Sequence, residues 1–88
     1  SLSGCFSMAL ANELTLSGFH PLRIETAATA TLEDLAAGWT VTKILLEVQA
    51  TVPDVTQLAF RDAALSAKTK CPIARLLNTT ISMTASLN

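Results

Sequence analysis

The sequence predicts an α+β domain with the element order α-β-β-α-α-β, and three observations carry that prediction. Residues 2–17 are rich in Leu, Ala and Met with no strict alternation. Residues 23–33 and 80–87 alternate between two kinds of side chain. Residues 54–78 are helical in pattern and broken once, at Pro72. Alternation puts every second side chain on one face of a sheet, whereas recurrence at three and four residues marks a helix. At 88 residues the chain suits one small domain with a thin core.

The first helix is predicted to stop at Gly18, with Pro21 close behind, a residue order that ends helices. Ser1 or Ser3 offers the capping hydroxyl, which puts Cys5 in the first or second turn. The apolar residues Leu2, Phe6, Met8, Leu10, Leu14 and Leu16 go most of the way round this helix, a pattern that calls for cover on several sides. Arg23–Glu33 reads as a strand with Ile24, Thr26, Ala28, Ala30 and Leu32 on one face. A turn over Asp34–Gly38 leads to a second strand, Trp39–Val52. Here Ile44, Leu46, Val48, Ala50 and Val52 share a face, and Val41 falls on the face of Lys43. The two strands make a hairpin.

Asp54 followed by Gln57 has the spacing of a capping box, opening a helix that runs through Phe60, Ala63, Ala64 and Ala67 to Lys70. Lys68 and Lys70 suit the negative end of its dipole. Proline cannot continue the hydrogen-bond ladder but fits the first turn of a new helix, so Cys71 stands at a junction before a short piece over Ile73–Asn78. Thr80–Leu87 is the third strand, with Ile81, Met83, Ala85 and Leu87 inward.

Half of the residues are apolar and 15% are charged, against roughly 25% charged in an ordinary soluble chain. No run reaches the ~18 apolar residues of a spanning helix. The shortage of charge therefore points to a face buried against a second subunit or further residues. A net charge of −1, with the six Lys and Arg scattered along the chain, argues against nucleic-acid binding. Residues 1–20 lack a basic leader and a cleavage-like ending, so the expected location is cytoplasmic. His20 has no partner at ligand spacing, and two cysteines are too few for a zinc site, so neither metal nor cofactor is expected.

Cys5 and Cys71 are too far apart for a CxxC motif. Only a thiolate attacks a peroxide, and a cysteine near a helix N-terminus has its pKa lowered from about 8.5. The sulfenic acid that results condenses with a second thiol to a disulfide. Cys5 meets the first condition, and Cys71, at a helix break, suits the second. Free cysteine is also among the most buried residue types and often only fills space, so spacing leaves both readings open. Arg75, one turn past Cys71, reads as a solvated arginine in preference to a charge for a thiolate. Glu13 reads as structural, since a carboxylate beside a thiol raises its pKa. Trp39 reads as an apolar anchor.

Cys5-Phe6-Ser7-Met8-Ala9-Leu10 with Glu13-Leu14, then Arg23-Ile24-Glu25-Thr26, resembles the peroxidatic helix and following strand of the OsmC/Ohr family. Ile44–Ala50 with Val52-Pro53, and Ala67-Lys68 leading to Cys71-Pro72-Ile73-Ala74-Arg75, are similar to its second strand and resolving-cysteine helix. The resemblance runs over nearly the whole chain, and CFSMAL leans towards the OsmC branch. It implies a buried cysteine-bearing helix packed on antiparallel strands, and an intertwined homodimer that reduces organic hydroperoxides to alcohols, with Cys5 peroxidatic, Cys71 resolving and a thiol or dithiol as reductant. It also implies that residues 1–88 are the C-terminal portion of a single OsmC-like domain. Members take an activating arginine and a glutamate that positions it from an N-terminal sheet, and neither has a counterpart in these residues. A second reading therefore stands beside the peroxidase, a truncated, non-catalytic OsmC-like dimerisation module.

Overall fold

The computed structural model describes residues 1–77 and 79–88, Leu76 through its backbone alone. The elements are α1 (Leu2–Leu16), β1 (Arg23–Leu35), β2 (Gly38–Thr51), α2 (Gln57–Lys70), α3 (Pro72–Leu76) and β3 (Thr80–Leu87), in the predicted order. The part of the short-helix expectation that falls on Asn78 lies outside the described residues.

The sheet has the order β1-β2-β3. β1 and β2 are the antiparallel hairpin the sequence predicts. β3 instead joins the other edge of β2 in parallel, with Ile44 opposite Ile81 and Ala50 opposite Leu87. A parallel neighbour needs a long crossover, and α2 with α3 supplies it. The central strand β2 thus carries the core, with Ile44, Leu46, Val48 and Ala50 buried on the face that α1 and α2 cover.

The hairpin turn is tighter than predicted. Ala36 and Ala37 alone make it, since β1 continues to Leu35 and Gly38 already pairs with it. Gly38 has φ +113, a conformation L side chains rarely adopt, which is why glycine stands there. A bulge corrects the second-strand reading. Thr31 pairs with Lys43 and Leu32 with Val41, leaving Thr42 as the extra residue. One inserted residue switches the face of all that precede it, so Val41 joins the Ile44 face and packs on the core.

Phe6, Leu10 and Leu14 of α1, spaced one turn apart, are fully buried. Met8 is 75% exposed and Leu16 74%, so within this chain α1 is covered along one stripe and not on several sides as predicted. Ser7 Oγ ties the helix to β1 by donating to Thr26 Oγ1 at 2.8 Å. On α2, Phe60, Ala63, Ala64 and Ala67 are buried, and the small alanines let the helix lie close. Its cap differs from the predicted box: Thr56 Oγ1 accepts from the Ala59 N–H at 3.1 Å. Asp54 sits two residues earlier with φ 66, in the left-handed region that Asp tolerates better than most residues. Trp39 is 74% exposed at the hairpin tip instead of anchored in the core.

Candidate functional site

Cys5 owes its position to the start of α1. Ser1 caps the helix by accepting from the Gly4 N–H at 3.2 Å, and the Cys5 N–H donates to the Ser1 carbonyl at 3.0 Å. Cys5 is therefore in the first turn, as predicted, with its own N–H used by the helix. Its side chain is half-buried and lies on the α2–α3 side.

Cys71 is held by the helix break. Its N–H donates to the Ala67 carbonyl at 2.9 Å and closes α2, while Pro72 at the first position of α3 starts the next helix. The side chain is fully buried. Both cysteines are free thiols, and the two sulfurs are 3.0 Å apart, with Cys71 Sγ donating to Cys5 Sγ. A disulfide has S–S of about 2.05 Å, so a closing movement on the order of 1 Å would join them.

The two thiols are not equivalent. The Cys71 Sγ–H bond, and after it the backbone N–H of Ile73, hold the Cys5 thiol below its ordinary pKa. Burial, and after it the Cys5 sulfur, push the Cys71 thiol up. The sequence placed the anion-favouring groups at the start of α1. The structure adds donors from the α2–α3 junction, which spacing within α1 could not reveal. Loss of a proton is thus favoured at the more accessible sulfur and opposed at the buried one.

Beside Cys5 lies an open groove of about 890 Å³, walled by Met8, Ala9 and Asn12 of α1 and by Lys70, Pro72 and Ile73 opposite. Most of this lining is apolar, so the groove offers an alkyl group cover next to the sulfur. Its far end is polar. Glu13 Oε1 accepts from Ser66 Oγ at 2.7 Å and pairs with Lys70 Nζ at 2.9 Å. These bonds hold the Glu13 carboxyl below the usual range, Ser66 contributing more than Lys70. Sequence reasoning took Glu13 as structural and missed its partners, although Ser66 and Lys70 stand one helical turn apart on α2.

The other candidates do not join the site. Arg75 and His20 are exposed, and neither lines the Cys5 groove. Among the described residues no group of three or more His, Cys, Asp or Glu is placed to hold a metal ion. No described helix is long and apolar enough to cross a membrane.

The element order α1-β1-β2-α2-α3-β3, with two helices packed on one face of a β1-β2-β3 sheet, is the α+β fold of OsmC-like proteins. Residues 1–86 match the family described as OsmC-like protein, and the chain belongs to that family. Peroxiredoxin OsmC of Escherichia coli (strain K12) is 36% identical over 81 residues, which are 92% of this chain and 57% of that protein. The chain thus spans a little over half the length of the curated relatives it matches. Among solved structures, an OsmC-like protein of unknown function from Vibrio cholerae superimposes with a TM-score of 0.84 at 18% identity, covering 97% of this chain and 58% of that one. An OsmC-like protein from Mycoplasma pneumoniae gives 0.85 at 13% identity, covering 98% and 64%. An organic hydroperoxide resistance protein from Elizabethkingia anophelis gives 0.76 at 22% identity, covering 98% and 61%. At these identities the structures establish the fold, with its three-stranded sheet and crossing helices.

Proposed function

We propose that this chain is the C-terminal portion of an OsmC-like domain that reduces organic hydroperoxides with its own thiols. The observation that carries the reading is the 3.0 Å approach of two free thiols of opposite pKa tendency beside an apolar groove. The Cys5 thiolate attacks the terminal peroxide oxygen, the O–O bond breaks, and the alkoxide takes a proton and leaves as the alcohol. Sulfur has been oxidised to the sulfenic acid and the peroxide reduced. Cys71 sulfur then attacks Cys5 sulfur, hydroxide leaves with the Cys71 proton as water, and the disulfide forms. An external thiol or dithiol returns both sulfurs to thiols by exchange. The name of the E. coli relative, a peroxiredoxin, and the description of the Elizabethkingia neighbour as an organic hydroperoxide resistance protein support the substrate class. The reading includes a homodimer, supported by the exposed apolar side chains Met8, Leu16 and Trp39, and a reducing, cytoplasmic setting in which the thiols rest reduced.

The test is consumption of an alkyl hydroperoxide by the purified protein with a dithiol present. Wild type is expected to turn over, Cys5→Ser to fall to the uncatalysed rate, and Cys71→Ser, assayed with the dithiol left out, to consume hydroperoxide without forming the Cys5–Cys71 disulfide, leaving Cys5 oxidised. Equal slow rates for wild type and Cys5→Ser would sink the enzymatic reading.

A second reading, the non-catalytic OsmC-like dimerisation module, is favoured by one feature of the groove. Its one cationic side chain among the described residues is Lys70, already paired with Glu13, and no described arginine lines it. That reading predicts a Cys5 thiol with the reactivity of free cysteine.

A further inference from the structure

Glu13 is two turns along α1 from Cys5, and both reach across to the end of α2. Cys5 meets Cys71, while Glu13 meets Ser66 and Lys70. Lys70 is the last residue of α2 and is bonded directly to Cys71. The Glu13 side chain is only 13% exposed although its cationic partner is 69% exposed. A carboxylate drawn that far out of water is sustained by its partners, so the contact is a built one and not a chance meeting of surface charges.

We propose that Glu13 is a positioning residue for the thiol pair: through Ser66 and Lys70 it fixes the last turn of α2 against α1, and so keeps Cys71 within bonding reach of Cys5. The inference rests on the reading of Cys5 and Cys71 as a redox pair. Its physical need follows from the helix break. The last turn of a helix frays readily, and Pro72 interrupts the ladder that would otherwise brace it. The closing bond of α2, from the Cys71 N–H to Ala67, is therefore supported from outside by Glu13 at Lys70, the residue before the cysteine, and at Ser66, one turn before Lys70. Resolution also demands motion. The sulfenic oxygen occupies space beside Cys5 Sγ, so Cys71 must yield at the 71–72 junction and then return to form the S–S bond. A tie at residues 66 and 70 leaves that junction free while holding the helix that carries it.

Two measurements test this, and the first is independent of peroxide. In glutathione redox buffers each protein chain reacts with glutathione disulfide to give the Cys5–Cys71 disulfide and two glutathione thiols, and the equilibrium is read by alkylation and intact mass. Glu13→Ala is expected to lower the equilibrium constant by about three- to tenfold, the size of one ordinary net hydrogen bond, since only part of the tie's free energy reaches the thiol pair. Lys70→Met and Ser66→Ala, which spare the carboxylate, are each expected to give part of that loss, and Glu13→Gln, which keeps an oxygen for Ser66, to recover part of it. A merely structural Glu13 would lower the melting temperature and leave the equilibrium constant of the folded protein unchanged. Wild-type constants for all four variants would overturn the proposal. The second measurement adds an excess of alkyl hydroperoxide, two equivalents being needed to carry Cys5 through the sulfenic to the sulfinic acid, and reads disulfide against sulfinic acid at Cys5. A larger sulfinic share in Glu13→Ala supports the tie. Should wild-type Cys5 ignore peroxide while the glutathione constants still fall in the variants, the peroxidase reading fails and the tie stands.

Discussion

At the residue scale the site works by unequal treatment of two identical side chains. Cys5 accepts a hydrogen bond from the Cys71 thiol and is further favoured as an anion by the Ile73 N–H, whereas Cys71 is fully buried. An acceptor that receives donors is stabilised as an anion, so removing the Cys71 donor must raise the Cys5 pKa. The pH profile of Cys5 alkylation by iodoacetamide should therefore have its midpoint below the ~8.5 of an unperturbed thiol in wild type and move upward in Cys71→Ala. A midpoint unmoved by Cys71→Ala would show that the neighbouring thiol does not activate Cys5. Glu13 titrates in the opposite part of the scale. Its folded pKa is depressed by Ser66 and then Lys70, so the stability it contributes is present above the carboxylate range of about 4.3 and is lost as pH falls through the folded value. Thermal melts of wild type and Glu13→Gln should differ at pH 7 and converge in strong acid, because a protonated carboxyl and an amide are alike in carrying no charge. A gap that persists at low pH would mean that shape, not charge, distinguishes the two.

At the element scale, what the sequence displayed and what it hid can be separated residue by residue. The cap of α2 illustrates the difference. Asp54 and Gln57 have capping-box spacing, yet Thr56 makes the hydrogen bond, since Asp54 is spent on the φ 66 turn that aims the chain into the helix. Thr56→Ala should cost about 1 kcal/mol in urea denaturation and Gln57→Ala, exposed at the first helical position, under about 0.5. The reverse ranking would restore the capping box. The strand β2 shows a second kind of miss. Alternation is a local signal and reads Val41 onto the wrong face, because a bulge is defined by the partner strand that Thr42 fails to pair with. The helix break at Pro72 was legible because proline's ring dictates it wherever the chain goes. The meeting of Cys5 with Cys71, by contrast, depends on how α1 crosses α2, a tertiary fact that no spacing along the chain contains. For that the family resemblance was needed. The Glu13–Ser66–Lys70 cluster was hidden for the same reason: each residue alone is an ordinary polar side chain on a helix.

At the scale of the whole molecule, the elongated outline of 49 × 21 × 20 Å and the thin core have one origin. The helices shelter the start of β1 and leave the rest bare, so along β1 Ile24 and Thr26 are sheltered while Ala28, Ala30 and Leu32 are exposed. The distal hairpin carries Leu32, Leu35 and Trp39 into solvent in a single chain. Apolar side chains gathered at one end lose contact with water when a second copy covers them, which is the physical basis for the homodimer included in the proposed function. Trp39 is the sole tryptophan, so its fluorescence reports that end of the molecule directly. If the hairpin tip enters the dimer interface, Trp39 emission should shift to the blue as protein concentration rises, in step with the increase in mass seen by sedimentation. Trp39→Lys should then weaken association while leaving the Cys5–Cys71 disulfide equilibrium in glutathione buffers unchanged, since Trp39 does not line the Cys5 groove. A dimer whose Trp39 emission stays that of exposed indole would place the interface elsewhere, on the outer face of α1 where Met8 and Leu16 stand uncovered. A chain that remains monomeric with Trp39 exposed at every concentration would refute self-association of these residues.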